Sequence, residues 1–175
     1  EGIKNGDLAY LPQAAEVDRS FPINLYDLVA MGLWHRRGIF GGIGRADRAR
    51  VDAAIAAVGL SGFEGRGIGT LSGGQMQRVL FARLMLQDAR VILLDEPFTA
   101  IDSGTAEDLF ALVRRWHGEG RTVMAVLHDL DLVRTGFPRT LLLAREPVAW
   151  GATAEVLTDE NRPGTAPPYC RAPCG

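Results

Sequence analysis

The sequence predicts an α/β fold, a parallel sheet core carrying an inserted α-helical subdomain, and three observations predict it. Two apolar runs, residues 90–94 and 122–127, are rich in Val, Ile and Leu without alternation, as expected of parallel strands buried on both faces. Between them lies a helix whose apolar positions Leu109, Leu112, Val113 and Trp116 fall at helical spacing. Upstream, residues 71–75 are followed by a helical apolar pattern through Leu86.

Taken in order, residues 7–12 read as a short strand, and residues 24–33 and 46–58 as helices joined by the loop 34–45. The glycine-dense segment 38–44 has no lysine and follows no predicted strand, so it reads as a connector and not as a phosphate cradle. Leu71-Ser72-Gly73-Gly74-Gln75 opens a helix that runs through Leu86, with Ser72 and Gln75 at capping-box spacing. In the helix between the two apolar runs, Ser103 is the expected cap, and Glu107 and Asp108 suit the positive N-terminal end. Strand, helix and parallel strand make a crossover unit. Residues 141–144 and 147–150 read as further strands and 152–157 as a short helix. From residue 159 onward Pro and Gly dominate, and a disordered tail is expected.

Composition narrows the function classes. A net charge of −2 and no long basic run give no footprint for nucleic acid. The longest apolar runs fall far short of the roughly 20 residues that span a bilayer. No secretion signal is visible at the start, so a cytosolic setting is the default. Cys170 and Cys174 are too few for a structural zinc site and read as incidental. His35 and His117 carry no motif and read as surface residues.

The ionisable groups gather where strands end: Asp95-Glu96 after the first apolar run and His128-Asp129 after the second. Open α/β sheets bind ligands at that carboxyl edge. Asp95 is placed to hold Mg²⁺, a hard cation that takes one or two carboxylates and completes its shell with water and phosphate oxygens. Glu96, expected on the opposite side by strand alternation, suits a base for an attacking water. At Ser72–Gln75 two glycines allow close approach, and free N–H groups with the helix dipole favour an anion, of which phosphate is the natural one.

Residues 71–75 resemble the signature sequence of ABC ATPases, and residues 91–97 resemble their Walker B strand. Gln13, after Tyr10-Leu11-Pro12, matches the Q-loop glutamine. Residues 100–102 resemble the D-loop, and His128 matches the switch histidine. The resemblance implies a P-loop NTPase-like sheet with a helical insert, residues 16–88, and a catalytic core, residues 89–158. It implies ATP and Mg²⁺ as cofactors, and a head-to-tail dimer with ATP sandwiched between one subunit's phosphate loop and its partner's signature helix. Ser72 and Gly74, with Gly73 and Gln75, would meet the γ-phosphate held by the partner. Glu96 would be the general base, His128 would grip the γ-phosphate, Asp102 would link the two sites, and Gln13 would reach Mg²⁺ and water.

The family's phosphate loop is not found. The only lysine, Lys4, fits no register of Gly-x-x-x-x-Gly-Lys-Ser/Thr. The expectation is therefore a domain truncated at its N-terminus, whose sheet lacks strands and exposes apolar surface, and which does not bind ATP tightly alone. Residues 16–23 and 27–32 resemble the manganese, zinc and iron-chelate uptake branch. That likeness implies an ATP-hydrolysing subunit, peripheral at the cytoplasmic face, driving divalent metal import through a separate permease, with an extracytoplasmic binding protein acting indirectly. Phe21, Tyr26 and Trp34 suit either the permease groove or the insert's own core. The competing readings are an ABC ATPase acting on the ribosome or nucleic acid, and a non-catalytic fragment.

Overall fold

The computed structural model describes residues 6–13, 17–34, 43–99, 101–144, 146–158 and 161. The connector 38–44, apart from Ile43 and Gly44, lies outside the described residues, as do Lys4, Glu16, His35, Ala100 and the expected tail apart from Asn161. The chain divides into two compact units, residues 1–126 and 127–175.

In the first unit, β1 (Leu8–Leu11), β2 (Val91–Asp95) and β3 (Thr122–Val126) form a parallel sheet in the order β1-β2-β3. Leu11 pairs with Leu94, and Asp95 with Val126, so the strands end together at one edge. The helical part comprises α1 (Leu25–Ala30), which continues as a short 3₁₀ turn at Met31–Leu33, α2 (Arg45–Ala57) and α3 (Gly73–Gln87). The side chain of Asn24 caps α1 by accepting from the Asp27 N–H at 2.8 Å. The Gly44 N–H at the start of α2 donates to Asp47 Oδ2 at 3.2 Å.

α3 is the organising element of this unit. It packs against α1, α2, β1 and the helix Ser103–Gly118, and Met76, Val79, Leu80, Phe81, Ala82, Leu84 and Leu86 are all buried, a helix apolar around most of its circumference. Phe81 stacks on Trp116 at 5.8 Å and lies 6.3 Å from Phe98, which meets Phe110 edge-on at 5.8 Å. These contacts fasten α3 to α4 (Ser103–Gly118) and to the loop after β2.

Three expectations are corrected here. The cap of α4 is Asp102 and not Ser103, which is the first helical residue. Asp102 accepts from the Thr105 N–H at 2.9 Å. The buried stripe of α4 is Leu109, Phe110, Val113 and Trp116, with Leu112 only half-buried, because the aromatic cluster draws the stripe toward Phe110. The strands are not buried on both faces: β3 alternates exposed and half-buried residues, and Met124 is 63% exposed. Leu8, Tyr10, Met124 and Val126 stand exposed on the sheet, the apolar surface that a short sheet is expected to leave.

The second unit holds α5 (Leu130–Gly136), an antiparallel pair β4 (Arg139–Ala144) and β5 (Glu146–Ala152), and α6 (Thr153–Val156). Val133, Leu142, Val156 and Leu157 form its small core. The Thr153 hydroxyl donates to the Phe137 carbonyl and pairs with the Thr140 hydroxyl, stitching α6 to β4.

Candidate functional site

Two groups of expected site residues assemble in the first unit. One is the turn that opens α3. Ser72 Oγ accepts from the Gln75 N–H at 3.2 Å, and Gln75 Oε1 accepts from the Ser72 N–H at 2.9 Å, a complete capping box. Ser72 and Gly73 are exposed, and Gly74 and Gln75 half-buried, at the positive end of a 15-residue helix. A Cβ placed on Gly74 would lie 3.8 Å from Ile101 Cγ2 and 4.0 Å from Asp102 Oδ2, so the structure brings Gly74 and Asp102 together.

Asp102 is engaged within its own chain. Besides the Thr105 N–H, its Oδ2 accepts from the Thr105 hydroxyl at 2.7 Å, and Thr105 in turn accepts from Arg78 Nη2 at 2.7 Å. The backbone and hydroxyl bonds from Thr105 hold the Asp102 carboxyl below its ordinary value of 3.8, with the Arg78 charge adding to the effect. Arg78 also donates to the Val58 carbonyl at 3.0 Å, which ties α3 to the end of α2.

The second group lies at the carboxyl edge of the sheet. Asp95 ends β2, Glu96 follows it, and half-buried Gln13 sits two residues beyond Leu11, the partner of Leu94. The Tyr10 hydroxyl donates to Asp95 Oδ2 at 3.1 Å. Sequence reading passed over Tyr10, although pairing β1 with β2 in register sets it on the same face as Asp95. Asp95 supplies one carboxylate at this edge, which is what a magnesium ion that arrives with phosphate oxygens asks of a protein. Among the described residues no cluster of three or more His, Cys, Asp or Glu side chains offers a protein-only metal cage. Bound there, Mg²⁺ would supply charge neutralisation for the phosphates.

Glu96 departs from the expected strand alternation. It lies past the end of β2 with φ of 44°, in the left-handed region, so strand geometry does not set its direction. A non-glycine residue there costs of order 1–3 kcal/mol and persists where neighbours over-determine it. Its N–H still donates to the Val126 carbonyl at 3.1 Å, and its Oε2 accepts from the Thr99 hydroxyl at 3.2 Å. The result is a carboxylate held at the sheet edge beside Asp95.

His128 is exposed in the second unit, just ahead of Asp129, whose Oδ1 caps α5 by accepting from the Asp131 and Leu132 N–H groups at 2.9 and 3.0 Å. Phe21 and Trp34 are exposed and Tyr26 is half-buried. His117 is exposed in the last turn of α4.

The sequence pattern of the family described as ABC transporter matches residues 3–99, more than half of the chain. The chain belongs to the ABC transporter family. Over 153 residues it is 40% identical to the zinc transport system ATP-binding protein TroB of Treponema pallidum, covering 87% of this chain and 58% of that protein. Over 154 residues it is 40% identical to the manganese transport system ATP-binding protein MntA of Synechocystis sp., covering 88% and 59%. The chain thus spans less than two thirds of the length of these relatives. Among solved structures, a metal-chelate type ABC transporter in an inward-facing conformation superposes with a TM-score of 0.79 at 28% identity, covering 89% of this chain and 61% of that one. A dimeric ATP-binding cassette bound to ADP and phosphate gives 0.71 at 27% identity, covering 84% and 63%. The α/β fold read from the sequence, a parallel sheet with a helical insert, is that of the family's ATPase domain.

Proposed function

We propose that this chain forms the hydrolytic part of an ATP-hydrolysing subunit that drives import of a divalent metal ion, manganese or zinc, through a separate membrane permease. The observation that carries the proposal is the pair of carboxylates at the end of β2. Asp95 ends the strand, and Glu96 is held in a strained turn beside it, where a base for water is wanted. In the proposed mechanism Asp95 and Gln13 would hold Mg²⁺, which would neutralise phosphate charge, and Glu96 takes the proton of the attacking water. His128 contacts the γ-phosphate. Gly73 and Gly74 would offer their N–H groups, Ser72 its hydroxyl proton and α3 its dipole to the γ-phosphate of ATP held by a second copy of the subunit, with Gln75 closing the turn through the capping box. Asp102, fixed by Thr105 beside Gly74, keeps that turn in register with the facing site.

The metal as cargo rests on the likeness to ATP-binding proteins of zinc and manganese transport systems. The working place is the cytoplasmic face of the membrane, against the permease, with a binding protein on the far side choosing the ion. Reconstitution of the whole protein with its permease in vesicles tests this. Metal uptake should require ATP and favour Mn²⁺ or Zn²⁺ over Mg²⁺ and Ca²⁺. ATP hydrolysis that no permease stimulates, or that RNA or ribosomes stimulate instead, would refute the transport assignment.

A further inference from the structure

A glutamate in the left-handed region keeps that geometry only when its surroundings fix it, and bonds on Glu96 and on the next residue, Pro97, brace the turn; four of them follow. Its N–H donates to the Val126 carbonyl at 3.1 Å, its carbonyl accepts from the Thr99 N–H at 3.2 Å, and its Oε2 accepts from the Thr99 hydroxyl at 3.2 Å. The fourth comes from another element. Gln77 Nε2, on α3, donates to the carbonyl of Pro97 at 2.8 Å, across 20 residues of sequence.

Gln77 is 1% exposed, on a helix whose other buried residues are all apolar. A buried amide is costly unless bonded, and packing alone would be met by a methionine or leucine of similar volume. The amide therefore has a use that volume does not explain. Its bond falls on the residue after Glu96, inside the turn that aims the carboxylate. Gln77 also lies in the second turn of the helix that opens at Ser72–Gln75.

We propose that Gln77, through its bond to Pro97 and with Thr99 as a second tether, is a positioning residue for the Glu96 carboxylate. This rests on the reading of Glu96 as the base.

The test compares parent, Gln77→Met, Thr99→Val, Glu96→Gln and the Gln77→Met/Glu96→Gln double variant in the whole protein. Turnover of Mg-ATP, its dissociation constant and hydrogen exchange at the Thr99 amide are read for each. Gln77→Met keeps the volume and removes the donor. It should lower kcat about tenfold or more, as expected when a reacting group is misplaced by a fraction of an ångström. The dissociation constant should stay within about twofold, because binding contacts are untouched. The Thr99 amide should exchange faster, and Gln77→Met should add no loss in the Glu96→Gln background. Parent kcat in Gln77→Met, or an equal loss in both backgrounds, would overturn the proposal. If Gln77→Met does not fold, Thr99→Val at an exposed position decides it: a several-fold fall in kcat at unchanged binding supports the tether, and parent turnover removes it. Parent-rate hydrolysis by Glu96→Gln would overturn the base assignment, and with it the catalytic use of Gln77. The Thr99 exchange would still report separately whether Gln77 holds the turn.

Discussion

Gly32, in the turn after α1, lies tight against α3. A Cβ built there would meet the Arg83 carbonyl oxygen at 2.3 Å, Leu86 Cβ at 2.9 Å and the Arg83 carbonyl carbon at 3.2 Å. Ordinary contacts between heavy atoms lie at roughly 3.5–4.0 Å, so Gly32→Ala forces the two segments apart by about 1 Å. The first obstacle is backbone and cannot rotate away. Gly32 has no positive φ, so backbone preference alone would favour alanine by up to about 1 kcal/mol. Overpacking a tight contact costs about 1–3 kcal/mol, more where backbone must move. The two effects oppose, and the steric one should win by roughly 2 kcal/mol. At about 2–4 °C per kcal/mol for a chain of this size, Tm should fall by roughly 4–8 °C. Gly118→Ala is the control: nothing lies within 4 Å of a Cβ there, and stability should hold or rise slightly. Thermal and urea unfolding of both variants check the pair. A Gly32→Ala protein as stable as the parent would refute the close approach of the Met31–Leu33 turn to α3.

Two further outcomes follow from the same packing. Phe81→Ala removes a fully buried ring stacked on Trp116 and near Phe98, and should cost about 3–5 kcal/mol in urea unfolding; a loss under about 1 kcal/mol would mean the aromatic cluster does not fasten α3 to α4. Thr105 lowers the folded-state pKa of Asp102 below 3.8, so its contribution is fully present above that value and is lost as pH falls through the depressed one. The stability difference between parent and Asp102→Asn should therefore change only below pH 3.8, and a difference that is flat throughout acid titration would contradict the Asp102–Thr105 bonds.

Most of the fold was legible because it rests on local signals. Asn24, the Ser72/Gln75 pair and the helical apolar spacing through Leu86 act over one or two turns, and each element they mark is present. The cap of α4 was misplaced by one residue because Asp102 and Ser103 are both good caps, and only the Thr105 contacts separate them. The burial of β3 was misjudged because an apolar run shows that a strand can be buried, not that a partner layer lies on each face. Site residues were legible as motifs, yet their connections were not. Tyr10 to Asp95 spans 85 residues and Gln77 to Pro97 spans 20, and both depend on which elements pack together. The left-handed turn at Glu96 has no glycine or asparagine to announce it, because the surrounding bonds and not the residue type impose it.

The central claim is that Glu96 is the base of an ATP-hydrolysing site. The measurement that meets it most directly is steady-state hydrolysis of Mg-ATP by the whole protein and by its Glu96→Gln variant, with nucleotide binding measured on both. Glutamine keeps the shape of the side chain and its bond to Thr99 while losing the proton acceptor. Loss of about 10²–10⁴-fold in turnover, the usual contribution of a general base, is expected with binding retained. Hydrolysis by the variant at the parent rate, with Mg-ATP bound, would contradict the account.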